Sequence, residues 1–536
     1  MARIIGDNDN NQLFGTREDD RILGLGGDDF INGRNGDDII IAGAGDDRAQ
    51  GRRGDDTIRG QAGNDNLRGG GGNDKLRGGD DDDILGGGSG DDILIGDAGD
   101  DIMRGGGGDD RMIWNPGDGD DIMRGGSGDD TAVANGGGAG EIFTLVQNGG
   151  RAIFDRVDPF PFNLNIDGTE TVELNAGGGD DSFTVGDLSN TDVVRVVFNG
   201  GDGNDTLDAS ETTTQVSANG GAGNDTLIGG DADDLLQGGD GNDVIDGDRG
   251  DDIMLGGAGD DRMIWNPGGG SDAMVGGDGT DTAAVNGGSR DEQFTLRQEN
   301  NLAIFDRVNP GPFTLTITES EVMELNGNDG NDSFEVSDVS NTDLRLVIFN
   351  GGLGNDVLNA AAAGVEINAD GGDGDDTLIG GSSDDTLTGG AGVDDLTGGL
   401  GRDRFVYGSN ALGTTDRISD YEITNDQYVL NGDELGIDAL VFQNALPDDL
   451  AGNSNIIILQ QGFANAGAAA QAIADNDQVV SQEGAFVYFN ETFGIGRLVH
   501  SQNLSEGGEF NVLANMENIT DVADLANFTA DNFALA

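Results

Sequence analysis

An aspartate recurs every nine residues without a slip: Asp20, Asp29, Asp38, Asp47, Asp56, Asp65, Asp74, Asp83, Asp92, Asp101 and Asp110. The residue before each is Asp or Asn, from Asp19 through Asn64 and Asn73 to Asp109. Two places after each stands an apolar side chain, from Ile22 and Ile31 to Met103 and Met112. Glycine precedes the acidic pair in nearly every unit, and residues 69–77 (GGGGNDKLR) show the repeat cleanly as G-G-x-G-x-D-x-U-x, with U apolar. A short fixed period points to a solenoid, in which each unit buries its apolar side chain only by stacking on its neighbours.

Composition enters as the limit on alternatives. Glycine fills 99 of 536 positions, well above the usual ~7%. Hydrophobic residues reach only 35% and aromatics 5%, which argues against an ordinary layered core over most of the length. Lys+Arg 27 against Asp+Glu 102 leaves a net charge of −75. Such a field repels phosphate, so nucleic acid and anionic membrane surfaces are poor partners, and multivalent cations are the natural counter-charge. Without cysteine there is no disulfide, thiolate zinc site or cysteine nucleophile. Residues 1–10 (MARIIGDNDN) contain no apolar signal core, and no run approaches the ~18 apolar residues of a membrane span.

A longer period lies over the short one. RMIWNPG occurs at 111–117 and 262–268, IFDRV at 153–157 and 304–308, SNTD at 189–192 and 340–343, each displaced by 151 residues. The chain is therefore a tandem duplication. Aspartates of the nonapeptide kind continue at Asp121 and Asp130, then at Asp205, Asp225, Asp234, Asp243, Asp252, Asp261, Asp272 and Asp281, and again at Asp356, Asp376, Asp385, Asp394 and Asp403. Between them, 131–199 and 282–350 carry fewer glycines and more alternating apolar residues. Segments 141–147 and 151–157, joined by Asn148-Gly149-Gly150, read as a β-hairpin. The expected division is repeats over 1–130, 200–281 and 351–406, β-rich inserts over 131–199 and 282–350, and a β-rich cap over 407–536 with a possible short helix at 464–475.

Each unit is expected to join a six-residue loop to a three-residue strand. Glycine frees the loop backbone and leaves carbonyls to turn inward, and the aspartate adds a hard carboxylate oxygen. Oxygens at this density suit Ca²⁺, which takes six to eight at about 2.3–2.6 Å in flexible geometry, better than Mg²⁺ with its tight octahedron. On these repeats the sequence resembles the RTX family, the hemolysin-type calcium-binding repeat proteins. The resemblance implies an all-β fold: a right-handed parallel β-roll with two nonapeptides per coil and calcium held between loops. It assigns the sixth-position carboxylate, at all the aspartates named above, as a metal ligand. It further implies an extracellular or cell-surface protein exported by type I machinery with an uncleaved C-terminal signal, for which residues 527–536 (NFTADNFALA) are similar in kind. Residues 416–421 (DRISDY) resemble the strand that caps the roll in secreted RTX proteases.

Without metal, glycine and aspartate in these proportions make a disordered acidic linker, since charge repels and little apolar surface is gained. The strict phase and the matched apolar position argue for order once calcium is bound. Roughly 20 ions would contribute about +40 against the chain's negative charge, so binding energy becomes folding energy.

Catalytic cargo finds little support. The single histidine, His500, cannot supply an HExxH zinc site, and no G-x-S-x-G elbow precedes it. The single lysine, Lys75, lies inside a repeat, where an acylated toxin lysine is not expected. Trp114 and Trp265, where the spacing from Asp110 to Asp121 slips to 11, are expected to pack inside the roll rather than form exposed platforms. Asp155–Arg156 and Asp306–Arg307 are read as structural ion pairs. The expectation is a non-enzymatic, calcium-folded extracellular component of a surface layer, filament or matrix. Its partners are calcium and either further copies of itself or a cell-surface polysaccharide. The alternatives are a calcium-dependent adhesin or carbohydrate-binding protein, and less favoured, a polysaccharide-modifying enzyme.

Overall fold

Alternation inside the nonapeptide decides which way its side chains face. In a strand, successive residues point to opposite sides. From Asp38 onward, Asp38, Ile40 and Ala42 turn inward and are buried, while Ile39 and Ala44 are exposed. The sixth, eighth and first places of the repeat thus share the inner face. The computed structural model describes all residues except 1, 413, 431–441, 446–454, 477, 478, 480, 482, 508 and 536. The chain falls into two compact units, one of residues 1–263 with 268–273 and 277–279, the other of residues 264–267, 274–276 and 280–536.

In the first unit, strands of successive nonapeptides alternate between two sheets. Ile39–Ala44, Thr57–Ala62 and Lys75–Asp80 lie in one, and Arg48–Arg53, Asn66–Gly71 and Ile84–Ser89 in the other. Neighbours are parallel and displaced by two repeats: Ile40 pairs with Ile58, Ile58 with Leu76, Leu67 with Leu85. This is the parallel β-roll, two nonapeptides to each coil. Its core is one apolar side chain per strand, and Ile40, Ile58, Leu67, Leu85 and Met103 are fully buried. At about 1.5–3 kcal/mol for each such side chain, this thin stack gains little per coil.

The strands of the first run are longer than the expected three residues. From Phe30 to Gly107 they span six, because the glycine-rich positions stay in register, as Gly43 with Gln61 and Ala44 with Ala62. Three-residue strands are found further on, as at Thr206–Asp208 and Thr226–Ile228.

Residues 131–199 continue the coiling. Thr131–Asn135 pairs in parallel with Arg111–Trp114 and with Thr171–Gly178. The expected hairpin is present as Ile142–Asn148 and Arg151–Asp158, antiparallel with Asn148 opposite Arg151, and both turn residues, Gly149 and Gly150, have positive φ. Phe162–Asp167 adds antiparallel to it and parallel to Asp121–Ser127, so the hairpin's third strand returns to the roll.

The second unit repeats this plan with Gln293–Glu299, Leu302–Asn309 and Phe313–Thr318, then parallel coils through Glu366–Asp373 and Thr386–Ala391. Residues 407–536 close both sheets. Asp416–Ile418 joins the last strand of one, Asp395–Thr397, to Phe510–Met516, and Gln427–Leu430 joins the other to Phe533–Leu535. Covering both edges in this way removes open pairing sites. The helix Ala466–Ala474, capped by Asn465, packs its alanines and Ile473 beside Ile457, Leu459 and Phe486.

Candidate metal centres along the roll

Every aspartate expected as a metal ligand is buried, at 4% exposure or less. In the first run they form a hydrogen-bonded ladder. The backbone N–H of Asp20 donates to Asp38 Oδ1, that of Asp38 to Asp56 Oδ1, that of Asp65 to Asp83 Oδ1, and so on to Asp130, at 2.7–2.9 Å. The ladder resumes from Asp205 through Asp225 and Asp243, and in the second unit from Asp356 through Asp376 and Asp394. Each rung uses one carboxylate oxygen.

In most rungs the other oxygen has no hydrogen-bond partner. Asp38, Asp56, Asp65, Asp74, Asp83, Asp92, Asp101 and Asp110 each leave Oδ2 buried and unpaired, as do Asp205, Asp225 and Asp252, and Asp356 and Asp376 in the second unit. A buried, unpaired carboxylate oxygen is costly and calls for a cation or a proton. The exposed fifth position shows the contrast. There the N–H of Asp55 donates to Asp37 Oδ1 and that of Asp82 to Asn64 Oδ1, at 2.9 and 3.1 Å. Only one oxygen is used, so asparagine and aspartate serve alike. From Asp20 to Asp130 the sixth place is always aspartate, which can keep a second oxygen, whereas in the first coil Asn11 holds that place and donates its N–H to Asp29 Oδ1.

The glycine that opens each repeat makes room for that oxygen. A carbon added to Gly60 would lie 2.0 Å from Asp65 Oδ2 and 2.7 Å from the Gly78 carbonyl oxygen. On Gly78 it would meet Asp83 Oδ2 at 2.1 Å and the Gly96 carbonyl oxygen at 2.6 Å. Carboxylate and carbonyl oxygens therefore converge on a space that any side chain would fill. No three Asp, Glu, His or Cys side chains gather as a metal cluster among the described residues. The donor set is instead one carboxylate oxygen beside backbone carbonyls, and it fits a hard, flexible cation such as Ca²⁺.

Electrostatics point the same way. Burial above all, with neighbouring carboxylates adding to it, pushes Asp56, Asp65, Asp92 and Asp101 up to about 7 and Asp83 and Asp121 up to about 8. Backbone N–H donors oppose the rise but do not cancel it. Such carboxylates hold protons near neutrality until a stronger cation displaces them.

Three expected ligands differ. Oδ2 accepts from the N–H of Thr16 in Asp20, of Gly230 in Asp234 and of Gly381 in Asp385. These carboxylates join the ladder but have both oxygens engaged by backbone. Asp261, Asp272, Asp281 and Asp403 are buried in the same inward row.

Other members of the row are not evident from the repeat. Asp181 and Asp332 donate their N–H to Asp205 and Asp356 at 2.8 and 2.7 Å and leave Oδ2 buried and unpaired. Their signal was present, since Phe183 and Phe334 stand two places after them in the apolar position. Asp416 and Asp426 accept from Asp394 and Asp403, each at 3.1 Å, but have no glycine loop ahead of them.

Glu141 and Glu292 hold the same inward place in the hairpin turns, and here the counter-charge is internal. Arg156 Nη1 lies 2.6 Å from Glu141 Oε1, with both side chains buried, and Arg307 lies 2.9 Å from Glu292. The expected pairing of Arg156 with Asp155 is not what forms. Adjacent strand residues face opposite sides, so Asp155 accepts from Asn163 instead, and Asp306 pairs with Arg297. The Arg156 guanidinium also lies 5.3 Å from the Trp114 ring and 5.0 Å from that of Phe162. Trp114 is fully buried, stacks on Phe162 at 3.6 Å and donates its indole N–H to the Gly119 carbonyl. Trp265 stacks on Phe313 in the same way. His500 is buried in a strand between Ala485 and Asn511.

Residues 5–40, 41–76, 77–112, 116–138, 196–211, 217–236, 228–263 and 370–405 match the family described as RTX calcium-binding nonapeptide repeat (4 copies). No curated protein matches the chain. Among solved structures, the extracellular lipase LipA from Serratia marcescens aligns at 16% identity over 45% of this chain, with a TM-score of 0.12. The alignment spans 37% of the lipase's own length.

Proposed function

From the premise that the chain belongs to the RTX calcium-binding repeat proteins, we propose that it is a secreted protein which folds on calcium outside the cell and serves there as a structural component. The observation that carries this reading is the row of buried carboxylates, most of them with one oxygen held by the neighbouring coil and the other facing carbonyls with no donor. The ligands are the sixth-position aspartates with a free Oδ2. When bound, calcium supplies the charge that lets adjacent coils stack. Where calcium is scarce the carboxylates repel, and the thin apolar stack does not hold the coils together. A chain unfolded before export and folded after it follows from that balance.

The structural role rests on the duplication and on how much of each unit is repeat. A calcium titration of chelator-stripped protein, followed by light scattering and electron microscopy, tests it. Compaction followed by growth into regular sheets or fibres is the expected result. A chain already compact in chelator sinks the folding mechanism, and a monomer that turns over a polysaccharide sinks the structural role.

A further inference from the structure

One face of the first unit runs against the charge of the whole chain. The strands Phe30–Asn35, Arg48–Arg53, Asn66–Gly71, Ile84–Ser89, Ile102–Gly107 and Asp121–Ser127 form one sheet, and apart from buried Asp121 they contain no carboxylate. In a chain of net charge −75 they carry Arg48, then Arg34, Arg52 and Arg53 together, and Arg68, Arg104 and Arg124 further along, the last opposite Asp167 of the next strand. None of these seven forms an ion pair among the described residues, whereas Arg77 on the other sheet pairs with Asp97.

Two grooves lie on this face. The larger, about 650 Å³, is walled by Phe14, Arg17, Arg34, Arg52 and Arg53 over Asn32. Asn32 is 5% exposed, and its Oδ1 is buried without a partner. Phe14 is 45% exposed, with the Arg34 guanidinium 5.5 Å from its ring. The smaller, about 310 Å³, has Arg68 and Arg104 over a floor of glycines from Gly86 to Gly106.

Backbone conformation adds a second oddity. Arg34 and Arg52 are register partners on adjacent strands, at φ +84° and +88°. The same column continues as Gly70, Gly88 and Gly106, where positive φ is free of strain. Two like charges side by side in a conformation that suits glycine oppose folding twice over. Leu25, Gln61 and Asp97 hold the matching column of the other sheet, also at positive φ, so what sets Arg34 and Arg52 apart is their like charge, which an anion between them would offset.

We propose that this face binds an acidic polysaccharide, bearing carboxylate or sulfate at intervals along an extended chain. Guanidinium groups take such anions in paired hydrogen bonds, the Phe14 ring covers the apolar face of a sugar, and the Asn32 amide meets a hydroxyl. The glycine floor lets the chain lie against the backbone between the two arginine groups. Nucleic acid fits less well, since its phosphates follow one another at about 1.7 Å per charge in a duplex and would run onto the exposed Asp37 and Asp55 in the turns. The proposal rests on the calcium-folded roll argued above, but not on what that roll builds.

Calorimetry at saturating calcium tests it, with a uronate tetrasaccharide, dextran sulfate, neutral dextran and single-stranded DNA as probes. Binding to the acidic saccharides, weakened by salt, is expected, with none to neutral dextran. The double variant Arg34→Gly/Arg52→Gly restores the glycine column, so calcium-induced folding by circular dichroism is expected unchanged while affinity falls about tenfold or more. Arg53→Ala, outside the strained column, serves as the second variant and is expected to weaken binding with folding intact. Equal affinity of both variants and the parent overturns the proposal, as does binding of neutral dextran or a preference for DNA. A rise in particle mass without saccharide, lost in the double variant, would place an acidic loop of a second copy in the groove and also overturn it. Failure of calcium to fold the parent chain would strike the reading above instead, and circular dichroism shows which has failed.

Discussion

At the residue scale, the fifth and sixth places of the repeat look alike and do different work. Asp65 uses Oδ1 to accept from Asp47 and keeps Oδ2 beside the Gly78 carbonyl, whereas Asn64 lends a single oxygen to Asp82. Asp65→Asn is therefore expected to keep the ladder but lose at least one calcium ion, by calorimetric titration against the parent. Asn64→Asp is expected to leave stoichiometry unchanged, and equal loss in both variants would refute the distinction. Gly60→Ala should act like Asp65→Asn, because the added methyl meets Asp65 Oδ2 and the Gly78 carbonyl oxygen. The invariant aspartate was legible in the sequence by its phase alone. That Asp234 and Asp385 have both oxygens engaged was not, since Gly230 and Gly381 approach them only through the turn that the fold makes.

At the scale of elements, the hairpins show how a turn of the roll manages with an internal cation. Arg156 reaches Glu141 from the neighbouring antiparallel strand and is held by Trp114 and Phe162. Removing one partner of a buried pair leaves the other charge uncompensated, so Arg156→Met is expected to cost about 3–5 kcal/mol in calcium-loaded protein, measured by denaturant unfolding. A loss below about 1 kcal/mol would show the pair to be a solvent-screened contact. The hairpin itself was readable from Asn148-Gly149-Gly150 between alternating strands. Its engagement with the roll was not, because Phe162–Asp167 pairs with Asp121–Ser127 across more than one coil's worth of sequence. Arg156 likewise carried no mark that its partner is Glu141, since strand pleat turns it away from the adjacent Asp155.

At the scale of the whole molecule, metal and proton compete for the same oxygens. Folding without metal raises buried aspartates from the ordinary 3.8 to between about 6 and 8, as at Asp38, Asp65 and Asp83. The folded, metal-free chain then holds more protons than the unfolded one between about pH 4 and pH 8, so its stability falls as pH rises through that window. Chelated protein is expected to be more ordered at pH 5 than at pH 8 by circular dichroism, and calcium affinity to increase over the same range. The opposite order at pH 5 would mean that the carboxylates are not buried before metal arrives. By itself the sequence determined the coil, because a nine-residue phase with one apolar and one acidic inward place has few ways to stack. It determined the calcium chemistry too, through oxygen density and through the unbroken aspartates at the sixth place from Asp20 to Asp130. Only the tertiary structure decided which carboxylates keep a free oxygen, how the hairpins rejoin the sheet and where seven decades of sequence between Arg34 and Arg104 converge on one acid-free face. Those outcomes depend on register between strands one coil or more apart, and a local period carries no record of who faces whom.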